Sequence, residues 1–247
     1  MKKYKSSIIV SIVFFGIWES IARYINAMYI LPSPSKILEK IWILKEPLFL
    51  VHLPATLLVT FIGLLVSVCL GVSLAVIMNL NEKIQKALYP IVVVTQTIPI
   101  TAIAPIFVLW FGYTIWSKII VTILITFFPI TVNVYDGLRS TRREMEELLI
   151  TYGASKKNIF IKLKIPSALP YFFSALKISV PLSVIGAAIS EWLGAQSGLG
   201  YFSKRMMTQL DGAAVFAPIV ILSFAAIIFV FIINILENKI VTWRNEV

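Results

Sequence analysis

Residues 139–170, RSTRREMEELLITYGASKKNIFIKLKIPSALP, form the one long polar stretch in an otherwise apolar chain. Thr141 followed by Glu144 predicts a capping box at the start of a short helix. Gly153 is suited to the left-handed conformation that ends a helix, and Ser155 to the N-cap of a second short helix. The stretch therefore predicts two short helices joined at a glycine, on one face of a membrane.

The first predicted helix carries a single apolar stripe. Four residues follow the i, i+3, i+4, i+7 spacing of one helix face: Met145, Leu148, Leu149 and Tyr152. The second helix is expected to stop at Pro166, because proline lacks the N–H that continues a helix. A short amphipathic pair in this position is expected to be held by a partner protein.

The rest of the chain is typical of a membrane protein. Hydrophobic residues make up 59% of the 247 residues, and charged residues only 14%. A membrane span needs about 20 apolar residues. Six runs of suitable character occur, at residues 8–25, 55–80, 87–111, 119–135, 169–190 and 212–236. We therefore expect an all-α polytopic membrane protein with about six transmembrane helices in a single domain, residues 1–247.

The first run follows three lysines, as the apolar part of a signal peptide does. No small-residue cleavage site follows it, so we expect a retained first span. Glu19 and Arg23 lie at i, i+4 near its far end, which favours an ion pair at the outer interface over a polar group on a transport path. Residues 35–44 predict a short amphipathic helix lying in the interface.

The third run contains Pro90, Pro99 and Pro105, so this span is expected to be kinked or broken. Carbonyls freed by proline need protein neighbours or water as hydrogen-bond partners. One interpretation is that this segment lines a translocation pathway, and an equally open alternative is a packed kink. The pathway candidates within it are Gln96, Thr97, Pro99 and Thr101.

The net charge of +10 is better explained by membrane topology than by nucleic acid. With both termini in the cytoplasm, the cytoplasmic segments hold 14 Lys or Arg residues and the external segments hold seven. This excess favours that orientation, because positive residues accumulate on the cytoplasmic side. It also predicts that the polar stretch lies in the cytoplasm.

Several functional classes lack their motifs in this sequence. There is no G-x-x-x-x-G-K-[ST] phosphate loop, no H-E-x-x-H and no C-x-x-C, and the chain has a single histidine, His52, and a single cysteine, Cys69. We therefore expect no catalytic residue, no metal site and no cofactor in this chain. A self-sufficient secondary transporter or channel would predict inverted repeats or several embedded carboxylates, and neither is seen. A membrane scaffold that only docks a partner is a further alternative.

The polar stretch resembles the EAA loop of permeases from binding-protein-dependent ABC importers. Glu147, Gly153 six residues later and Pro166 thirteen residues after that carry the resemblance, while Leu148 and Leu149 replace the two alanines of the family pattern. In that family the loop, here about residues 139–166, docks into a cytoplasmic ATPase. The resemblance implies an ATPase-coupling set of Met145, Glu147, Leu148, Leu149, Tyr152, Gly153, Ala154 and Pro166.

The resemblance also implies the type I importer permease fold and a set of partners. These are a cytoplasmic ABC ATPase that binds ATP and Mg, an extracytoplasmic substrate-binding protein, a second permease copy in a homodimer, and lipid of the bacterial cytoplasmic (inner) membrane. Lys177 and Ser183 of the fifth span and Glu191 at its end join the pathway candidates. Lys177 is expected either to attract an anionic substrate, or to snorkel or pair with a neighbouring span. Glu191 is expected to face the exterior, contacting the binding protein or supporting an outer gate.

Four further stretches resemble one branch of this family. LPSP at 31–34, QTIPI at 96–100 with AP at 104–105, and EWLG at 191–194 with SGLG at 197–200 are similar to nitrate, sulfonate, taurine, pyrimidine-precursor and riboflavin permeases. FFPITVN at 127–133 with DGL at 136–138 is most similar to the pyrimidine-precursor and riboflavin members. The resemblance implies a thiamine pyrimidine precursor as substrate, with a sulfonate, taurine, nitrate or riboflavin as alternatives.

Overall fold

The computed structural model describes residues 5–243, and all regular structure among them is helical, as predicted. The helices are α1 (Lys5–Ile25), α2 (Pro34–Ile43), α3 (Leu53–Leu80), α4 (Glu82–Thr95), α5 (Ile100–Phe111), α6 (Ile115–Arg139), α7 (Arg143–Thr151), α8 (Lys156–Ile159), α9 (Ile165–Gly194), α10 (Leu199–Thr208) and α11 (Gly212–Ile240). Two π-helical segments, Pro47–His52 and Phe160–Lys164, lead directly into α3 and α9. Lys2, Lys3 and Arg244, which contribute to the predicted charge asymmetry, lie outside the described residues.

Five helical stretches are long and apolar enough to cross a membrane: Ser6–Ile25, Pro47–Leu80, Ile115–Arg139, Lys156–Gly194 and Gly212–Ile240. A sixth candidate span is the pair α4 and α5, which meet at an angle of 96°. The described chain thus has five candidate spans, or six if the bent pair counts as one, which agrees with the prediction of about six; the predicted break in the third run is confirmed. The break falls at residues 96–99, where Pro99 cannot donate the backbone hydrogen bond that a continuous helix needs.

Helix α6 lies at the centre of the bundle, between α3 and α9. Gly63 of α3 lies against the Thr122 side chain of α6, so the two backbones approach closely. The hydroxyls of Ser67 and Thr126 are 2.6 Å apart in this interface and are both fully buried. Close packing of small side chains and buried hydrogen bonds are the forces that hold helices together in lipid, where the hydrophobic effect between helices is absent.

The amphipathic helix α2 connects α1 to α11. The Glu19 carboxylate of α1 accepts hydrogen bonds from the Ser35 backbone N–H at 3.1 Å and the Ser35 hydroxyl at 2.7 Å. It also pairs with Arg23 at 2.7 Å, which confirms the predicted ion pair. On the other side, Lys40 pairs with Asp211, the N-cap of α11, at 2.6 Å. Helix α2 is thereby held at both edges by charged groups.

Two local predictions in the polar stretch are wrong. Thr141 and Glu144 do not form a capping box: α7 begins after Arg142, which makes no side-chain cap. The Thr141 hydroxyl instead donates to the Glu146 carboxylate at 2.7 Å, which removes it from the helix terminus.

Pro166 does not stop the second helix. The chain continues as one helical stretch over Lys156–Gly194, with Pro166 in the first turn of α9. The π-helical turn before it, Phe160–Lys164, changes the hydrogen-bond register where proline has no N–H to donate. Helix α10 was not predicted, since its ten residues are too short and too polar to resemble a span.

Candidate functional site

The first helix of the polar stretch, α7, presents its apolar stripe to the outside of the described chain. None of its nine residues is buried. Met145 and Leu148 are each 49% exposed and Tyr152 is 81% exposed, while Leu149 is partly buried. An apolar stripe exposed at the polar end of a helical bundle is a surface suited to binding another protein.

The turn after α7 orients this stripe relative to the membrane helices. Gly153 adopts a φ of +78°, as predicted, and the Ala154 N–H bonds to the Leu149 carbonyl at 2.9 Å. The Ser155 hydroxyl then caps α8 by accepting from the Asn158 N–H at 3.3 Å, which confirms the predicted N-cap. Since α8 runs on into α9, the stripe is joined to a membrane span by one turn.

A carboxylate that the sequence analysis did not single out ties the two halves of the polar stretch together. Glu146 accepts from Thr141 and pairs with Lys164 at 3.1 Å, across the Gly153 turn. Partial burial raises the pKa of Glu146, but the hydrogen bond from Thr141 and the ion pair with Lys164 outweigh it, so this pKa lies below its ordinary value. A depressed pKa in the folded state means that the contact stabilises the loop at neutral pH and is lost as the pH falls through the lowered pKa.

Glu147, the residue that gives the EAA pattern its first letter, remains at the surface. It pairs with Arg143 at 2.9 Å on the same helix, and both side chains are largely exposed, at 61% and 89%. Such an exposed pair contributes little to stability. Both groups are therefore accessible to a partner.

The α4–α5 break carries four of the predicted pathway residues. Gln96, Thr97, Pro99 and Thr101 are all exposed on the described chain. The Thr97 hydroxyl donates to the Val94 carbonyl at 2.8 Å, which satisfies one acceptor at the break. The exposed side chains of Gln96 and Thr101 are accessible to water or to another subunit, as a pathway lining requires. The pathway role of these residues stays a prediction.

Lys177 forms an ion pair with Glu237 between α9 and α11. The sequence left two roles open for Lys177: attraction of an anionic substrate, or snorkelling or pairing with a neighbouring span. The ion pair favours the second role, because Glu237 is buried and supplies the opposite charge. In the sequence, the only indication of this ion pair is that a carboxylate, Glu237, follows the last apolar run. Its partner lies 60 residues away, so spacing alone does not connect the two.

Two other pathway candidates are enclosed by the protein. Ser183 is fully buried and its hydroxyl bonds to the Val180 carbonyl at 2.7 Å, so it does not line an open path on this chain. Glu191 is only 1% exposed, and its Oε2 accepts from the Gly200 N–H at 2.8 Å. The Glu191 carboxylate is therefore enclosed within this chain, and its predicted place at the external end of the span stays a prediction.

Glu191 belongs to a buried network at the start of α10 that spacing did not reveal. Three consecutive N–H groups each donate to a side chain: Gly198 to His52 Nδ1 at 3.1 Å, Leu199 to Thr56 Oγ1 at 2.8 Å, and Gly200 to Glu191. Gly198 has a φ of +119°, and a Cβ there would collide with the Glu191 carboxyl. These contacts hold the loop between α9 and α10 against α3.

Three comparisons relate this architecture to known proteins. A family model for the binding-protein-dependent transport system inner membrane component matches residues 67–242. The chain is 56% identical over 230 residues to the formylaminopyrimidine transport permease protein ThiX of Halalkalibacterium halodurans, covering 93% of this chain and 92% of that protein. It is 30% identical over 217 residues to the riboflavin transport system permease protein RibX of Chloroflexus aurantiacus, covering 87% and 81%.

The fold is also that of a solved transporter. The MetNI methionine ABC transporter, in an inward-facing conformation, matches with a TM-score of 0.58 at 22% sequence identity over 83% of this chain and 94% of that chain. The family match and the relatives identify this all-helical, multi-pass bundle as a subunit of a membrane transport system. The chain belongs to the family of binding-protein-dependent inner membrane components, and it is an ABC transporter permease. The predicted family resemblance is confirmed.

Proposed function

We propose that this permease imports a pyrimidine precursor, powered by a separate cytoplasmic ATPase and supplied by an extracytoplasmic binding protein. The observation that carries the coupling is α7, an amphipathic helix at the polar end of the bundle that presents an apolar stripe and has no buried residue. The 56% identity to a formylaminopyrimidine permease over 93% of the chain supports the substrate class.

The second copy of the permease in our proposal completes the pathway. One chain supplies six candidate spans and one exposed loop, which suits half of a two-fold assembly with two ATPase subunits. ATP and Mg belong to the ATPase in this proposal, since the chain has no phosphate loop. Both termini and the polar stretch lie in the cytoplasm, an orientation that the excess of 14 over seven basic residues supports.

The direct test is uptake into proteoliposomes that hold the permease and its ATPase, with the binding protein added outside. We expect ATP-dependent accumulation of labelled formylaminopyrimidine, and little uptake of riboflavin, taurine or nitrate. Uptake of riboflavin instead would change the proposed substrate but would still support ATP-driven import. Uptake driven by an ion gradient without ATP would overturn the proposal in favour of a secondary transporter.

A charge exchange tests whether the Glu146–Lys164 pair holds the loop in its coupling geometry. We expect Glu146→Lys or Lys164→Glu alone to lower ATP-driven uptake about fivefold, since a partly buried pair of this kind contributes about 1 kcal/mol. The double exchange restores the attraction and is expected to recover most of the uptake. The measurement is the initial uptake rate at equal permease content.

The exchange at an exposed pair is the matched control. Lys36→Glu with Glu39→Lys exchanges an exposed pair on α2, outside the polar stretch, and is expected to leave uptake within about twofold. If the Glu146–Lys164 exchange fails to rescue either single variant, the pair does not act through its mutual attraction.

A further inference from the structure

A polar cavity lies at the end of the bundle that carries the polar stretch. Its volume is about 560 Å³, and it is bounded by the ends of α3 and α6, the start of α4, the α7 region and the π-helical turn before α9. Six of its lining residues are ionisable side chains of Lys, Arg or Glu: Glu82, Lys86, Arg139, Arg143, Glu146 and Lys164. None of these residues was a pathway or coupling candidate.

Cations exceed carboxylates around this cavity. The lining holds four Lys or Arg side chains and two Glu side chains. Glu146 pairs with Lys164, and Glu147, next to the cavity, pairs with Arg143, so Lys86 and Arg139 have no ion pair among residues 5–243. Glu82 in the lining and Asp136 outside it attract Arg139 without a direct contact. An anionic ligand between Lys86 and Arg139 therefore meets two cations that no carboxylate contacts directly, which favours its binding.

Two of the cations retain hydrogen-bond donors. Among residues 5–243, no hydrogen bond or ion pair involves the Lys86 ammonium. The Arg139 guanidinium donates through Nη1 to the Tyr135 hydroxyl at 2.6 Å, and the Glu82 carboxylate adds electrostatic attraction. A guanidinium has five N–H donors, so Arg139 retains a pair of N–H donors that can bind two oxygens of a planar or tetrahedral oxyanion. Tyr135 is buried, and its bond to Arg139 orients the guanidinium before a ligand binds.

The cavity lies where the membrane spans end and polar residues begin. Helix α3 ends at Leu80, one residue beyond the lining residue Asn79, and the Leu80 side chain is 69% exposed. An exposed apolar side chain beside a basic cavity matches a ligand with a phosphate group and acyl chains. Basic pockets between transmembrane helices bind anionic lipid headgroups by this chemistry.

We propose that this cavity binds an anionic phosphate group, with Lys86 and Arg139 as its principal donors and Lys164 at its edge. The phosphate is carried by the headgroup of an anionic phospholipid or is free phosphate, and the chemistry of recognition is shared. A bound headgroup bridges the start of α4, the end of α6 and the polar stretch, so it stabilises the arrangement of the loop against the spans. The site does not depend on the identity of the transported substrate.

The test is lipid binding by the delipidated full-length permease, measured by native mass spectrometry in detergent. The probes are dioleoyl-phosphatidylglycerol, dioleoyl-phosphatidylcholine and sodium phosphate. We expect phosphatidylglycerol to bind at least ~tenfold more tightly than phosphatidylcholine, and Lys86→Gln with Arg139→Gln to remove that preference, because charge-assisted bonds to phosphate are the strong contacts. Size-exclusion chromatography verifies that the variant is folded.

Lys83→Gln is the matched control. Lys83 lies one turn before Lys86 on α4, carries the same charge and does not line the cavity. We expect its affinity for phosphatidylglycerol to stay within about twofold of the unaltered protein. If sodium phosphate binds and is lost in the double variant while lipid binding is unchanged, free phosphate is the ligand. If the double variant and Lys83→Gln behave alike with every probe, the proposal is wrong.

Discussion

Leu148→Glu is expected to lower ATP-driven uptake at least ~30-fold, with the permease still folded in the membrane. Leu148 lies in the exposed apolar stripe of α7, and its side chain is 49% exposed on the chain alone. In the proposed complex this side chain becomes buried against the ATPase. A carboxylate placed in that interface loses its water without gaining a partner, which costs about 2 kcal/mol or more. The measurements are uptake and the amount of ATPase that copurifies with the permease.

Ile150→Glu is the matched control for that variant. Ile150 is also an exposed apolar residue of α7, at 60%, but it lies on the opposite side of the helix from the stripe. The same change of size and charge there is expected to leave uptake within about twofold. Equal losses in both variants would show that α7 is sensitive to charge anywhere, and normal uptake by Leu148→Glu would remove the stripe from the coupling surface.

Gly198→Ala is expected to destabilise the folded protein by about 3–5 kcal/mol, the largest loss we predict for a single methyl group. At a φ of +119° an alanine is strained, and its Cβ collides with the buried Glu191 carboxyl. Moving that carboxyl breaks its bond to the Gly200 N–H and leaves buried polar atoms unpaired. We expect the midpoint of thermal unfolding in detergent to fall by roughly 10 °C.

Two controls separate this mechanism from a general effect of Gly→Ala. Gly16→Ala adds the same methyl group within α1, where nothing lies within 4 Å, and is expected to be neutral or slightly stabilising. Gly198→Ala combined with Glu191→Ala is expected to cost less than the sum of the two single variants, because the collision is gone. Additive losses would mean that the two residues do not interact.

The features of the fold that depend on the length of apolar runs or on adjacent residues were predictable from the sequence. Six apolar runs of span length predicted the bundle, because a membrane imposes a minimum length on each helix. The third span was expected to break because Pro99 cannot continue a helix, and α4 and α5 meet there at 96°. The Gly153 turn and the Ser155 cap were likewise local features, decided by a few adjacent residues.

The features that sequence reasoning missed depend on distant partners or on local register. The surroundings of Glu191 were not predicted, because its carboxylate accepts from Gly200 in a network that also includes His52 and Thr56, more than 130 residues earlier in the chain. Pro166 was expected to end a helix, but the π-helical turn before it accommodates the missing N–H. The Thr141 hydroxyl donates to the Glu146 carboxylate and does not cap a helix. None of these choices is encoded in spacing alone.

The helical stretch Lys156–Gly194 has a mechanical consequence. As a straight α-helical rod its 39 residues would measure about 58 Å, and they connect the turn beside α7 to the loop before α10. If such a rod pivots by about 10° near one end, the other end sweeps about 10 Å, more than the diameter of a helix backbone. The Glu191 contact to Gly200 fastens α10 to the far end of this lever. If the ATPase moves the turn after α7, as we propose, the displacement is therefore amplified at the end of this helical stretch that contacts α10.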